Sequence, residues 1–322
     1  MAVCPSGACG FDVVAAKFCF IFGEDSASLE TENMADVDRL RDIIVSPGCS
    51  VAPGAYDAWS ARLIEQAGFP LCYLTGFGAS ASHLGAPDIG LITGTEMADL
   101  AARVAEAVSI PVIADADTGY GNALNVRHIV RAYRRAGVAA MQLEDQEFPK
   151  RCGHLDGKHL VAADEMVSKI EAAKDEAEDA LLIVARTDAR AVLGFEEALE
   201  RGHAYEEAGA DILFIEAPRN LDELERVGQE FPKTPLLANI VEGGETPYLS
   251  ADVLGKIGFA VAIYPITTLL AATGSIKKAL SQMRDDGGVA LEQLPSFSDL
   301  HDVSGLDGYL DDARGTSAKG KP

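Results

Sequence analysis

An eight-stranded (β/α)8 barrel, often called a TIM barrel, is the α/β fold this sequence predicts, on three observations. Short apolar runs alternate with amphipathic helical stretches along most of the chain, the pattern of a parallel sheet covered by helices. Four of the helices close on a glycine directly before the next run, at Gly68, Gly137, Gly209 and Gly258, because glycine accepts the left-handed turn that ends a helix. There are eight runs within 322 residues, more than the roughly five or six strands of a doubly wound sheet and the right number for a barrel.

In order, a charged lead-in gives way to a helix over 36–44, which Ser46, Pro47 and Gly48 stop. Strands are predicted over 51–54, 72–76, 111–117, 139–145, 181–188, 212–217, 235–240 and 259–265. Helices fill the intervals at 56–67, 95–108, 126–136, 163–177, 195–208, 221–231 and 250–257, and the eighth spans 266–285. Three parts follow: an extension over 1–35, the barrel over 36–290, and a tail over 291–322. The tail is rich in Asp, Gly, Ser and Lys and is expected to pack loosely.

A formal net charge of −23 disfavours nucleic acid and anionic membrane surfaces as partners, since both need basic patches. A small anionic carboxylate substrate would then require a local cation cluster or a metal. Six cysteines show no C-x-x-C and no metal-finger spacing, so neither a disulfide framework nor a structural zinc is expected, and a reducing cytoplasmic setting is the default. No apolar run approaches the roughly 18 residues a spanning helix needs. Residues 11–23 come nearest to a secretory leader, but Asp12 and Lys17 interrupt them and no basic segment precedes them.

One stretch concentrates reactive groups. The fourth strand ends in Glu144 and Asp145 and runs into Lys150, Arg151, Cys152, Gly153 and His154. Two cations beside a thiol lower its pKa and let the sulfur exchange a proton near neutrality. In a barrel, chemistry sits at the C-terminal strand ends, so polar residues that end apolar runs are the ones to collect. The third strand ends in Asp115 and Asp117, whose two-residue spacing places both carboxylates on one side. Together with Glu144 they make a hard-oxygen site suited to Mg2+ or Mn2+. Arg186 can take a carboxylate bidentately, although a buried partner for a barrel acid is the competing role. Glu216 and Asn239 each add one polar group at a strand end. After the second strand, Tyr73 offers a phenol, while Thr75, Gly76 and Phe77 offer backbone N–H groups to an anion. The pair Gly76 and Gly78, with Ala81, meets a loose dinucleotide fingerprint, but Gly85 and Pro87 break the helix that should follow.

These residues resemble the isocitrate lyase and phosphoenolpyruvate mutase superfamily. The loop Lys150 to His154 looks like its lyase signature, Asp115 with Asp117 and Glu144 with Asp145 look like its metal motifs, and the ends at Tyr73–Gly76 and Ala185–Asp188 look like its substrate-binding strands. The resemblance covers about 36–290. It implies a Mg2+-dependent barrel whose eighth helix is swapped between subunits of a homodimer or homotetramer, and a mobile loop carrying the Cys. It further implies that Asp88 is an acid close to the metal. Members that cleave C–C bonds carry this Cys loop, and around Asn239 to Pro247 the chain resembles dimethylmalate lyases, oxaloacetate hydrolases and the carboxyphosphonoenolpyruvate mutase group more than methylisocitrate lyases.

The implied reaction is retro-aldol cleavage of a 2-hydroxy di- or tricarboxylate to a 2-oxo acid such as pyruvate plus a carboxylate. Cys152 would be the general acid, Arg186 and Tyr73 would assist at the 2-oxo end, and Lys150, Arg151, His154 and Asn239 would stabilise the departing enediolate, with Thr75, Gly76, Phe77, Gly153 and Glu216 contributing to binding. Phosphonomutase chemistry at the same metal site, an NAD-dependent oxidoreductase and a catalytically silent interaction protein remain open at this point.

Overall fold

A computed structural model describes residues 23–153 and 157–319, with side chains from 34 to 314. His154, the leader-like stretch up to residue 22, and Cys4, Cys9 and Cys19 lie outside the described residues.

Eight parallel strands form the predicted barrel: β1 (Ser50–Ala55), β2 (Cys72–Leu74), β3 (Val112–Asp115), β4 (Ala140–Glu144), β5 (Leu182–Thr187), β6 (Ile212–Ile215), β7 (Leu237–Asn239) and β8 (Val261–Tyr264). They are ordered β6-β5-β4-β3-β2-β1-β8-β7, and a parallel bridge between Leu213 and Leu236 joins β6 to β7 and closes the ring. Strands β2 to β8 are shorter at their C-terminal ends than the apolar runs suggested, because the chain leaves the ladder there to build loops, whereas β1 runs one residue further, to Ala55. Between them run the expected helices, among them Ala58–Gln66, Gly94–Ala107, Ala123–Ala136, Ala163–Ala177, Phe195–Glu207, Leu221–Glu230 and Ala251–Ile257. Side-chain caps fix where several begin: Asp57 with Ser60, Thr93 with Glu96, and Asn122 with Asn125 each form a reciprocal capping box.

Strand alternation divides the core in two. Outward residues pack under the helices in one large cluster. Inward residues, including Ala52, Leu71, Tyr73, Ile113, Leu182, Val184, Ile212, Phe214, Leu237 and Ile263, fill the barrel interior. Val37, Leu40 and Ile44 belong to the same inner cluster, so the first helix, Gly23–Val45, closes the N-terminal mouth. It begins before the predicted residue 36, where the charged sequence shows no apolar period. The C-terminal mouth is left for the loops that follow the strands.

The tail is more structured than its composition suggests. Ser296 caps a helix over Phe297–Ser304, Val303 is buried, and Arg62 and Gln66 donate to the carbonyls of Val303 and Asp302. The long helix Thr267–Asp286 has no buried residue and leaves Leu270, Ile276, Leu280 and Met283 about half exposed. Among the described residues no helix is long and apolar enough to cross a membrane.

Candidate active site

The period-two stacking of the barrel interior ends in a polar layer. Following the inward positions, Ile113 leads to Asp115, Ala140 through Gln142 to Glu144, Val184 to Arg186, Phe214 to Glu216, and Leu237 to Asn239. These five strand ends, with Tyr73, line a cavity of about 310 Å³ that also takes in Thr75, Phe77, Asp88, Lys150, Cys152 and Gly153. Most of the side chains singled out in the sequence therefore meet at one place. Its remaining wall is Val241, Glu242, Gly243, Gly244, Ile263, Pro265 and Ile266.

Asp115 is held from three sides. Gln142 Nε2 donates to its Oδ1 at 3.3 Å, the Asp117 N–H to the same oxygen at 3.1 Å, and the Gly76 N–H to Oδ2 at 3.2 Å. A Cβ on Gly76 would lie 2.6 Å from Asp115 Oδ2, so only glycine permits this approach. The two aspartates do not converge by strand alternation as the spacing suggested. The strand stops at Asp115, and Asp117 turns back with a left-handed φ of 46°, an uncommon conformation for a residue with a side chain.

The Gly76 N–H expected to meet a substrate anion is thus spent on Asp115, and that of Gly78 on the Thr75 hydroxyl. Tyr73 likewise donates its O–H to Gln142 Oε1 at 3.0 Å. Burial, reinforced by Asp115, keeps that phenol well above the usual range, so it is a neutral strut that aims Gln142 at Asp115.

The two cations flanking Cys152 part ways. Lys150 Nζ is buried, 2.6 and 2.7 Å from the two oxygens of Asp88 and 3.0 Å from Asp117 Oδ1. Burial alone would lower its pKa, but Asp117 and Glu144 hold it well above the ordinary lysine range. Burial likewise pushes Asp117 up to about 7, with Lys150 pulling the other way, and raises Glu144 against the pull of Arg186. Arg151 is exposed and lies outside the cavity, its guanidinium beside Gly157, which removes it from the predicted substrate contacts. Cys152 itself is half-buried on the cavity wall, and its N–H donates to the Asp88 carbonyl at 3.2 Å.

Arg186 is a buried partner of a barrel acid, the competing role weighed for it. Asp188 grips it bidentately through Nε and Nη2, both at 3.0 Å, which uses two of its five N–H donors. The guanidinium also lies 5.0 Å over the Phe214 ring. Burial would raise Asp188, yet Arg186 and then Lys158 hold it below the usual carboxylate range. Glu216 accepts from Asn239 Nδ2 at 3.2 Å through each oxygen. Asn239 thereby spends on Glu216 the amide group expected to meet an enediolate, and its Oδ1 is buried without a partner. Gly153 sits so close that a Cβ there would be 2.6 Å from Arg186 Nη2 and 2.7 Å from Glu216 Oε1.

Three functional neighbours escaped the sequence reading. Asp188 was visible as a strand-end acid but had no assigned partner, Gln142 sat inside the apolar run, and Lys158 carried no signal. The carboxylates Asp117 Oδ2, Glu144 Oε1 and Glu242 Oε2 are buried without a hydrogen-bond partner. No three His, Cys, Asp or Glu side chains among the described residues are close enough to ligate one ion together.

Comparison with known proteins shows the family. The phosphoenolpyruvate phosphomutase family matches over residues 40–284. A 2,3-dimethylmalate lyase of Eubacterium barkeri is 47% identical over 84% of this chain and 94% of its own. A 2-methylisocitrate lyase of Aeropyrum pernix is 44% identical over 84% of this chain and 87% of its own. Among solved structures, an oxaloacetate acetylhydrolase bound to the inhibitor 3,3-difluorooxalacetate superposes with a TM-score of 0.84 at 35% identity, covering 88% of this chain and 98% of that one. A phosphonopyruvate hydrolase in complex with oxalate and Mg++ superposes with a TM-score of 0.77 at 33% identity, covering 88% and 99%. With its barrel, its polar strand-end layer and these relatives, the chain belongs to the phosphoenolpyruvate phosphomutase family and is an enzyme of the isocitrate lyase/PEP mutase superfamily.

Proposed function

We propose that this protein is a Mg2+-dependent lyase, with Mn2+ as a substitute ion, that cleaves the C2–C3 bond of a 2-hydroxy di- or tricarboxylate. The products are a 2-oxo acid such as pyruvate and a simple carboxylate. The observation that carries this reading is a thiol, Cys152, on the wall of one cavity with the acid-ended strands β3 and β4 and the arginine of β5. The two lyases named above, similar over most of the chain, support it.

A divalent cation suits the charge of the donor set, with water completing a shell that no three of the described side chains reach together. Described lining residues include five acids (Asp88, Asp115, Glu144, Glu216 and Glu242) against two cations (Lys150 and Arg186), so an anionic substrate would be repelled without further positive charge. Buried carboxylate oxygens left unpartnered are costly, and Asp117 Oδ2 and Glu144 Oε1 are two such oxygens. Asp115, Asp117, Glu144 and Asp88 would hold the ion directly or through water. When bound, such an ion acidifies a hydroxyl and stabilises the oxygen that becomes a carbonyl.

The remaining work falls to the protein. Arg186 has N–H donors beyond those Asp188 takes and binds the carboxylate next to the 2-hydroxyl. Tyr73 and Gln142 keep Asp115 aimed at the same point. Cleavage requires one proton to leave the 2-hydroxyl and one to arrive on the carbon of the departing carboxylate fragment. The carboxylate cluster accepts the first, and the Cys152 thiol donates the second as general acid. Lys150 contributes fixed positive charge beside the reacting oxygens, and His154 is the second candidate for that role.

The net charge of −23 supports a small-molecule partner without nucleic acid or membrane, and the absence of paired cysteine spacing supports a cytoplasmic setting. The half-exposed apolar face of Thr267–Asp286 supports a homodimer or homotetramer in which a second copy covers that helix.

Incubation with Mg2+ and a panel of 2-hydroxy acids plus oxaloacetate, with 2-oxo acid and oxalate measured, tests the reaction. Pyruvate or a close 2-oxo acid should form from a branched malate. Formation of oxalate alone, or of a C–P bond from a phosphoenol substrate, would replace this reading.

A further inference from the structure

Glu144 and Asp145 follow one another at the end of β4 and face opposite ways. Glu144 lines the cavity, whereas Asp145 is fully buried and is not among the cavity's described lining residues, as strand alternation requires. The pair resembled a metal motif in the sequence, but only its first member stands with the acid cluster. The second is turned toward the helix Phe195–Glu207, which supplies two of its partners.

Both oxygens of Asp145 are taken. Oδ1 accepts from the Asp188 N–H at 2.9 Å. Oδ2 accepts from the Thr187 hydroxyl at 2.7 Å, the Tyr205 hydroxyl at 2.8 Å and Arg201 Nη1 at 2.9 Å. Tyr205 and Arg201 are neighbours one turn apart on the helix, and Glu197 accepts from Arg201 Nε at 3.0 Å. A buried charge is costly unless it is paired and hydrogen-bonded, and here the donors that meet that cost also fix the carboxylate in one place.

What this carboxylate holds is the turn after β5. The parallel register pairs Glu144 with Arg186, which brings Asp145 alongside Thr187. By gripping the Thr187 hydroxyl and the Asp188 N–H, Asp145 fixes the main chain from which the Asp188 carboxylate clamps Arg186 through Nε and Nη2. The Thr187 hydroxyl in turn accepts from the Ala189 N–H at 3.1 Å, which extends the grip along the turn. The N–H groups that Arg186 has left for a ligand are thus aimed from outside the cavity.

We propose that Asp145, anchored by Arg201 and Tyr205, is a positioning residue that sets the stance of the Asp188–Arg186 pair and, through it, affinity for the substrate carboxylate next to the 2-hydroxyl. This rests on the assignment of that carboxylate to Arg186 in the lyase reading above.

The test is Asp145→Asn, read by 2-oxo acid formation from 2,3-dimethylmalate in Mg2+ and by calorimetric titration with pyruvate. The amide keeps the volume and one acceptor but sets an NH2 group against donors. KM should rise about tenfold or more, the scale on which outer partners of a binding group act. The change in kcat should be much smaller, because a carboxylate held equally in ground and transition states contributes to binding alone. Pyruvate affinity should fall in step. A merely structural role gives the opposite split: fewer folded molecules lower the apparent kcat and leave KM and pyruvate affinity as they were, and that result would overturn the proposal. If Asp145→Asn does not fold, Thr187→Val, which removes one donor to the acid, should raise KM about threefold or more, and Thr187→Ser should restore it. Equal KM values for those two variants would overturn the positioning role, as would a wild type that binds no pyruvate. Weaker pyruvate binding by Asp145→Asn, with no 2-oxo acid formed by the wild type from any substrate, would sink the lyase reading and leave the positioning role standing.

Discussion

Lys158 Nζ lies 3.5 Å from Asp188 Oδ1 and also donates to the Gly153 carbonyl, so one buried cation joins the Cys152 loop to the acid that grips Arg186. The thiol and the guanidinium come from different strand ends, and this link fixes their relative position. Lys158→Met should lower kcat about 10²-fold with little change in KM, because misplacing a reacting group by about an ångström costs that much. Lys158→Arg, which restores the charge, should recover part of the loss. A parallel rise in KM, or no rescue by Arg, would show that Lys158 merely supports the fold.

Gly153 makes the same point sterically. Its missing side chain is what lets the loop pass 2.6 Å from Arg186 Nη2 and 2.7 Å from Glu216 Oε1, measured from an ideal Cβ. Both neighbours are locked, Arg186 by Asp188 and Glu216 by Asn239. Gly153→Ala should therefore displace the loop and cut turnover about tenfold or more, with a thermal midpoint close to wild type, since the site lies on a loop. Unchanged turnover would mean the loop has another route into place.

Much of this site was legible in the sequence, and for one reason. Barrel strands alternate inward and outward, so a polar residue that ends the inward series of an apolar run has only the C-terminal mouth to face. Asp115, Glu144, Arg186, Glu216 and Asn239 all follow that rule. What resisted was anything decided by a loop or by a long side chain. Lys150 and Arg151 are adjacent in sequence, yet one dives into the acid cluster and the other stays at the surface. Asp117 converges on Asp115 through a left-handed turn that no spacing rule anticipates. The Thr75 and Gly76 N–H groups were counted as free for a ligand, but the Ala55 carbonyl and the Asp115 carboxylate take them. Lys158 becomes visible only when the loop folds back on Asp188.

Removal of the divalent ion should abolish turnover reversibly. Asp115 accepts three hydrogen bonds that fix its carboxylate on the cavity wall, so Asp115→Ala should lose both ion binding and activity. The outer core is untouched by this change, and the circular dichroism spectrum should remain that of the wild type. Turnover that survives exhaustive chelation, and does not rise on adding Mg2+, would rule out the ion.

The face of Thr267–Asp286 bearing Leu270, Ile276, Leu280 and Met283 is about half exposed on the isolated chain. Ile276, Leu280 and Met283 share one side of the helix at i, i+4 and i+7, and exposed apolar side chains so spaced call for a partner. Sedimentation equilibrium at micromolar protein should give a mass of two or four chains, and Ile276→Glu with Leu280→Glu should shift it toward one. A single-chain mass for the wild type would show that the helix needs no second copy.

Cys152 is the sharpest test of the proposed chemistry. Its N–H is tied to the Asp88 carbonyl and its side chain lines the cavity, so the sulfur is placed by the same segment that binds Lys150. Cys152→Ser keeps that placement and nearly the same volume, but an alcohol gives up its proton far less readily than a thiol. Turnover should fall about 10²-fold or more, the usual scale for loss of a general acid. Binding of a 2-oxo acid product should change little, because Arg186 and the acid cluster are untouched. A solvent deuterium isotope effect on the residual rate larger than that of the wild type would place the slowed step at the proton transfer. Wild-type turnover by the serine variant would take the sulfur out of the reaction and favour a transfer that needs no carbon protonation.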